Sequence, residues 1–397
     1  MKNIIYTSLT GMTEALGKSQ VLAYITKMNK ENKFHLISFE KHITKEEKNS
    51  LKLELLNQNI IWYPLSYSNK YGIFSTILQL LIGMLISFKV LINHKVHALH
   101  ARSMIAALMV YPISKLCKVP LVFDIRDFSA DEKVDRGRLK KNSYLYKILL
   151  KMEYMLYFHS SKIIALTKAS KDVLVKSVGV EENKIHIIPT CADESVFYML
   201  HSDENSANRM RLGYSDSDYI FIHVGSVQEW YLFDSELQYF KLCLQRNENA
   251  KLLVLNNYDH DFIFRKLKEY NIPLDSVCKV LSVDYSEVNK YLNLADISLY
   301  FIVPSYSKKA AAPTKFAEFV RVKLPSITNA GVGDMDFYIN NFNVGVLVDP
   351  YSINEEIVTN SLLAIDENIN PQYEYLFSKY FSINVATKEY QRVYDAI

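Results

Sequence analysis

"ISLYFIVPSYSKKAAAPTKFAEF", residues 297–319, contains in one line the unit from which the chain is built. The β-rich run 297–302 is apolar on both faces, a polar loop ends it, and a helix opens at the proline. Pro313 suits the first helical position, where a missing N–H costs nothing. The free N–H groups and positive end of such a helix attract an anion. Thr314 adds a hydroxyl and Lys315 a point charge for phosphate. Glu318, four positions after Thr314 and three after Lys315, projects along the same side. This opening suits a diphosphate, with the carboxylate placed to accept two hydrogen bonds from a ribose diol. Lys315 and Glu318 can also pair only with each other.

The same strand, loop and helix recur outward in both directions. Apolar runs stand at "NIIYTSL", "FHLISFE", "IIWYPL", "VHALHA", "PLVFDIR", "KIIAL" and "IHIIP" in the first half. In the second half they are "YIFIHVG", "KLLVLN", "VCKVL", "ISLYFI", "SITNA" and "VGVLVD". Helical patterns lie between them, as in "KSQVLAYITKMNKEN", where Val21, Leu22, Ile25 and Met28 share a face. Strands buried on both faces belong to parallel sheets covered by helices. The expected fold class is therefore α/β, with two doubly wound Rossmann-like domains facing a cleft. Residues 1–190 form the first domain and the polar, aperiodic stretch 191–218 is a linker. Residues 219–380 form the second domain, and a helix over 381–397 packs back on the first.

A chain of 397 residues with 49% hydrophobic and 22% charged residues can bury two cores. Cys117, Cys191, Cys243 and Cys278 form no CxxC pair and read as buried thiols of a reducing compartment. The opening residues contain no apolar core of signal-peptide length, so the cytoplasm is the expected location. The net charge of +3 conceals a polarity. Residues 1–190 hold 28 Lys and Arg against 15 Asp and Glu, and the remainder 18 against 28. A basic half facing an anionic membrane or a phosphorylated acceptor is one reading. Lysines that only solvate helix faces are the other. No nucleic-acid-binding signature is present. Residues 71–88, "YGIFSTILQLLIGMLISF", carry no charge. Interrupted by Ser75, Thr76, Gln79 and Ser87 between two strands, they read as a buried helix, with contact to a membrane surface as the alternative.

Ligands of doubly wound domains bind at the carboxyl ends of strands. After the first strand, "TSLTGMTEALGKSQ" places Gly11 and Gly17 before a helix, where backbone can approach a ligand. It is not GxGxxG, so a dehydrogenase reading is weak. After the fourth and fifth strands stand Arg102, in "HARS", and Asp124, Arg126, Asp127, Asp131, Glu132 and Asp135, in "FDIRDFSADEKVD". Such a cluster can order an acceptor hydroxyl, carry its proton or steady a leaving phosphate. Its charges can also pair among themselves and lock the loop. In the second half, Gly225 and Ser226 of "HVGSVQEWY" suit close approach to a phosphate. The triplets Asp216–Asp218, Asp259–Asp261 and Asp334–Asp336 are weak metal signals in a chain with many aspartates.

These stretches resemble a known family. "GMTEALGKSQV", "HARS", "FDIRDFSADEKVD", "IPTCAD", "GSVQEWY" and "APTKFAEF" are similar, in this order, to elements of two-domain GT-B fold glycosyltransferases. The type is "group 1", in the retaining family-four clan, as in bacterial polysaccharide-assembly enzymes. The resemblance implies a nucleoside diphosphate sugar held by the second domain, at Gly225, Ser226, Lys308, Thr314, Lys315 and Glu318, with Gly17 contributing from the first. It implies a saccharide or lipid-linked saccharide acceptor on the first domain, with Arg102, Asp124, Arg126, Asp131 and Glu132 as catalytic candidates. No cofactor and no metal are implied, since helix ends and basic side chains stabilise the leaving diphosphate. The implied setting is capsule or other surface polysaccharide synthesis, in the cytoplasm or at the inner face of the membrane.

There are departures. Eight positions before Glu318, where many members of the clan carry a sugar-contacting Glu, this chain has Ala310. The Arg and Lys pair common after the "VG" strand is absent from "GSVQEWYLFD", leaving Lys308, Lys309 or Lys315 to substitute. Asp127 stands where Gly is more usual. A non-catalytic scaffold of the same fold, or a nucleotide-sugar epimerase, are the alternative readings.

Overall fold

The computed structural model describes residues 1–368 and 370–397. The chain divides into two compact units. The first comprises Met1–Thr190, Tyr306–Ala311 and Ile383–Ile397, and the second Cys191–Ser305 and Ala312–Ser382.

The first unit is built on strands β1 (Lys2–Ser8), β2 (Asn32–Glu40), β3 (Ile60–Ser66), β4 (Ala98–Arg102), β5 (Leu121–Asp124), β6 (Lys162–Ala165) and β7 (Ile185–Ile187). They form one parallel sheet in the order β3-β2-β1-β4-β5-β6-β7. The chain runs outward from β1 to β3, then crosses back to lay β4 on the other side of β1. Right-handed crossovers place the helices preceding β3 on one face and those following it on the other. Ile5, Ile37, Leu99 and Phe123 of the sheet share a core with Met109, Val110, Leu156 and Tyr157 of that second layer. The register sets Ser8 beside Arg102 and Arg102 beside Asp124, so three adjacent strands end together.

The second unit repeats the plan with β8 (Tyr219–Val224), β9 (Ala250–Leu255), β10 (Cys278–Leu281), β11 (Ile297–Leu299), β12 (Ser326–Thr328) and β13 (Gly345–Leu347). Its parallel order is β10-β9-β8-β11-β12-β13, reversing between β8 and β11. Phe221, Leu237, Phe240, Leu252, Leu299 and Phe301 fill its core. Gly345 lets β13 close on β12, since a Cβ there would meet the Ser326 carbonyl oxygen at 2.1 Å.

Four features differ from the sequence reading. Residues 191–218, read as a linker, belong to the second unit and contain the helix Ser202–Arg211. Arg209 fastens that helix by hydrogen bonds from Nη2 to the Leu294 carbonyl (2.7 Å) and Asp296 Oδ1 (2.8 Å). The polarity of the stretch reflects side-chain anchoring rather than an unattached connection. Residues 306–311 lie in the second half of the sequence but belong to the first unit. Thr167 Oγ1 donates to the Lys309 carbonyl, Ser307 N donates to Asp135 Oδ2 at 2.8 Å, and Ala310 is buried in the first core. The helix Ile73–Asn93 covers the sheet but is not buried, because many of its large side chains, Leu78, Leu85 and Ile92 among them, face outward. Cys117 is exposed, while Cys191, Cys243 and Cys278 are buried.

The C-terminal helix, Ile383–Asp395, is part of the first unit. Asn32 Nδ2 donates to Gln391 Oε1 at 2.6 Å, and Tyr24 meets the Tyr390 ring edge-on at 5.7 Å.

Candidate functional site

The candidate residues fall into two groups, one in each unit. In the first, the ends of β4 and β5 bring Arg102, Asp124 and Arg126 together around His100. Asp124 is fully buried, and its Oδ2 accepts from Arg126 Nη2, from His100 Nε2 at 3.4 Å and from Tyr390 OH at 3.4 Å. Burial drives the Asp124 carboxyl up, but the Arg126 guanidinium and the His100 hydrogen bond outweigh it, leaving the group below the ordinary carboxylate range. His100 is also fully buried, and burial lowers its pKa, so it is neutral. Its Nε2–H donates to Asp124 and its Nδ1 accepts from Tyr394 OH at 2.7 Å. Tyr6 stacks on the imidazole at 4.3 Å.

Arg102 Nη1 donates to Thr10 Oγ1 at 3.3 Å. The Nε atoms of Arg102 and Arg126 and Oδ1 of Asp124 are buried without a hydrogen-bond partner. Two guanidinium groups against one carboxylate leave an excess positive charge at the sheet edge, which suits an anionic oxygen.

Asp131 and Glu132 do not join this group. They lie on the short helix Ser129–Asp135, where Asp131 Oδ1 accepts from Tyr146 OH at 2.9 Å and Glu132 pairs with Arg136 at 3.0 Å. Asp131 thereby fastens the helix Tyr144–His159, a structural duty. Lys308, expected at the donor, sits in the first unit facing Glu132, Asp127 and Asp135. Burial lowers its pKa despite those carboxylates. Sequence reasoning missed Glu153, whose Oε1 and Oε2 accept from Ser129 N (2.7 Å) and Ala130 N (3.3 Å) and so cap the Ser129–Asp135 helix. Burial and then the Asp127 charge push Glu153 up to about 8, while burial and Glu132 push Asp127 up to about 6.

A raised carboxyl pKa means that the folded state holds a proton the unfolded chain has lost. The first unit is therefore expected to lose stability as the pH rises from about 5 to 8. Glu153→Gln, which cannot ionise and keeps one accepting oxygen of the cap, should lower stability overall but flatten its loss with pH in melting curves recorded across the range. An unchanged slope would show that Glu153 does not titrate there.

The glycine turn after β1 is held by Glu40. Met12 N donates to Glu40 Oε1 at 2.9 Å, and Thr13 Oγ1 to Glu40 Oε2 at 3.2 Å. Gly17 is required for packing, since a Cβ there would stand 2.0 Å from the Gly11 carbonyl oxygen. The backbone of this turn is thus folded around a carboxylate from β2.

In the second unit, Gly225 and Ser226 follow β8 at the switch between β8 and β11. Gly225 has φ +121°, reserved for glycine, and nothing lies within 4 Å of where its Cβ would be. His223 holds this turn from below. Its Nδ1 bonds Glu236 Oε2 at 2.7 Å and its Nε2 the Ser226 carbonyl at 3.0 Å. Both ring nitrogens face acceptors, and although burial opposes charge, Glu236 raises the pKa, so the ring is an imidazolium. Asn329 ties the exits of β11 and β12, donating to the Ile302 carbonyl at 2.9 Å and accepting from Ile302 N at 2.7 Å.

The helix that opened the sequence reading spans Thr314–Arg321. Pro313 is its N-cap rather than its first residue, and no side chain caps the free N–H groups. Lys315 Nζ lies 3.2 and 2.9 Å from the two Glu318 carboxylate oxygens and 5.4 Å from the centre of the Tyr285 ring. Glu318 is buried, and burial raises its pKa against the pull of Lys315. One aspartate of each triplet accepts a hydrogen bond from a neighbouring segment or turn. Asp218 accepts from Ser215 N, Asp259 from Gln228 Nε2 and Asp336 from Gly331 N.

Two doubly wound parallel units, each reversing strand order beside its candidate residues, place the chain in the GT-B class. The family model described as Glycosyltransferase Family 4 matches residues 38–196, and that described as Glycosyl transferases group 1 matches residues 205–372. The chain belongs to the group 1 glycosyltransferases and is an enzyme of that kind. Comparison with curated proteins gives no significant match.

Among solved structures, HepE of Anabaena in complex with UDP-glucose is similar over 100% of both chains, with a TM-score of 0.74 at 12% identity. Sucrose-phosphate synthase of Thermosynechococcus elongatus is similar over 100% of this chain and 98% of its own, with a TM-score of 0.72 at 12% identity. WaaG, a glycosyltransferase involved in lipopolysaccharide biosynthesis, covers 99% of this chain and 95% of its own, with a TM-score of 0.65 at 15% identity.

Proposed function

We propose that this glycosyltransferase moves a sugar from a nucleoside diphosphate sugar to a saccharide carried on a lipid, at the inner face of the membrane, in bacterial surface polysaccharide or capsule synthesis. The observation that carries the donor half is the Thr314–Arg321 helix, with uncapped N–H groups and the Lys315–Glu318 pair on its first turns. The similarity to HepE, solved with UDP-glucose, supports a nucleotide-sugar donor. The similarity to WaaG supports a glycan acceptor.

In this reading the helix N–H groups and Lys315 hold the diphosphate, and Glu318 accepts from the ribose diol. Gly225 and Ser226 leave space for the β-phosphate and sugar. The acceptor oxygen bonds to the anomeric carbon on the face from which the diphosphate departs. Its proton passes to the leaving phosphate oxygen, so configuration is retained and no dedicated base is required. Arg102 and Arg126 stabilise anionic oxygen on the acceptor side. Fixed dipoles and ammonium charge do the work of a metal.

A thermal-shift screen of nucleoside diphosphates, followed by donor hydrolysis with and without EDTA, tests this. Stabilisation by one nucleotide and hydrolysis unaffected by EDTA are expected. Stabilisation by none would remove the donor assignment, and abolition by EDTA would remove the metal-free mechanism.

A further inference from the structure

The helix Ile73–Asn93 puts small and polar residues on its covered side. Ser75, Gln79, Gly83 and Ser87 recur there every four residues, with Val90 buried and Leu80, Met84, Ile86 and Leu91 packed against the core beside them. Ser87 is fully covered, and Ser75 and Gln79 are each 7% exposed. A Cβ on Gly83 would stand 2.0 Å from the Met109 sulfur, so glycine there lets the neighbouring helix Met104–Cys117 approach. The polar atoms are satisfied locally. Ser87 Oγ donates to the Gly83 carbonyl, Ser75 Oγ accepts from Tyr71 N and Gln79 Nε2 donates to the Ser68 carbonyl.

The opposite face is apolar and open. Phe74 is 75% exposed, Leu78 58%, Leu85 63% and Ile92 68%, with Leu81 and Phe88 between them. A helix facing water carries the reverse pattern. The stretch Phe74–Asn93 is long and apolar enough to cross a membrane, with a mean hydropathy of 2.0, and 28% of its most apolar window is buried. It nevertheless joins β3 to β4 of one parallel sheet, so here it lies flat on the unit.

The apolar surface does not stop at this helix. The helices Met104–Cys117 and Tyr144–His159 also follow β3, cover the same face of the sheet and share its core. They expose Ile105, Leu116, Tyr144, Ile148 and Phe158. Between Arg136 and Met152 the sequence has no acidic residue. Arg138, Lys140, Lys141, Lys147 and Lys151 are all exposed there.

We propose that this face rests on an anionic lipid bilayer. The outer side of Ile73–Asn93 enters the boundary between headgroups and acyl chains, and the basic segment 136–151 lies against lipid phosphates. A second copy is disfavoured as occupant, because pairing the same face would oppose two basic segments. The proposal takes its purpose from the lipid-linked acceptor reading, but its observations and its test need neither donor nor acceptor.

Flotation with vesicles of phosphatidylcholine, alone or with about 30% phosphatidylglycerol, is the experiment. The chain should float with the anionic vesicles only and be released by high salt. Leu78→Gln, Leu85→Gln and Ile92→Gln together should cut bound protein at least tenfold. Lys140→Glu with Lys141→Glu should also weaken binding. Every substituted side chain is exposed, so circular dichroism should remain that of the unsubstituted chain. Flotation equal for the triple variant, equal on neutral vesicles, or absent altogether would overturn the proposal. So would a dimer in sedimentation velocity that the triple variant dissolves, since a second copy would then cover the face. A chain that floats but is stabilised by no nucleotide would leave the membrane face standing and the donor assignment fallen.

Discussion

Asp124→Ala should destabilise the first unit by about 3–5 kcal/mol and abolish sugar transfer, the range expected when one partner of a buried ion pair is removed. Asp124 is the only anion in contact with Arg126 among the described residues, and the same oxygen anchors His100 and Tyr390. Without it, two guanidinium groups stay at the ends of β4 and β5 with nothing to balance them. The methyl group of alanine satisfies neither the tyrosine hydroxyl nor the imidazole. Asp124→Asn should fall between, since an amide oxygen accepts hydrogen bonds but carries no charge. Denaturant unfolding measures the first effect and a transfer assay the second. Donor affinity should hold, because Gly225, Ser226, Lys315 and Glu318, the donor contacts of the proposed function, belong to the second unit. A loss below about 1 kcal/mol would show that Asp124 is dispensable and that the arginines have other partners.

The second large effect is expected at Glu318. Glu318→Ala should weaken nucleotide binding by about ten- to a hundredfold, roughly 1.4–2.8 kcal/mol, read by isothermal titration with a nucleoside diphosphate. The carboxylate is buried against Lys315, so its loss removes the ribose acceptor and also frees the ammonium that would face the phosphates. Glu318→Gln should retain part of the affinity. Lys315→Ala should bind weakly and lose stability, because it leaves Glu318 buried and unpaired. Unchanged affinity in Glu318→Ala would show that the ribose lies elsewhere. A fall accompanied by an equal loss of thermal stability without ligand would mean that the pair only supports the helix.

Much of the architecture was legible because parallel strands are apolar on both faces. The runs at Ile4–Ile5, Leu121–Phe123 and Ile220–Ile222 announce their burial without reference to neighbours. The Thr314–Arg321 helix was legible for a local reason too, since proline, lysine and glutamate lie within one and a half turns. Side-chain partners set by register were not. Glu40 occupies the Gly11 turn because β2 lies beside β1, and no spacing rule links a glycine to a carboxylate nearly thirty residues away. Tyr390 and Tyr394 reach Asp124 and His100 from the far end of the chain. The helix Ile73–Asn93 was expected to be buried because it carries no charge over 71–88 and lies between two strands. Its serines and glutamine line the inward face and Phe74, Leu78, Leu85 and Ile92 the outward one, which composition alone does not distinguish.

The first unit is made of three separated pieces of chain, and this has a consequence during synthesis. When residue 190 has left the ribosome, the sheet has all its strands, but the site within it is unfinished. His100 lacks the Tyr394 hydroxyl, Asp124 lacks Tyr390, and the core space filled by Ala310 is empty. At about 5–20 residues per second the rest of the chain takes roughly ten to forty seconds to emerge. Throughout that interval the imidazole and the arginine–aspartate pair lack the two hydroxyls and the cover that the helix Ile383–Asp395 supplies. The site in the first unit is therefore completed only when the helix Ile383–Asp395 has packed onto a sheet whose strands were finished some two hundred residues earlier.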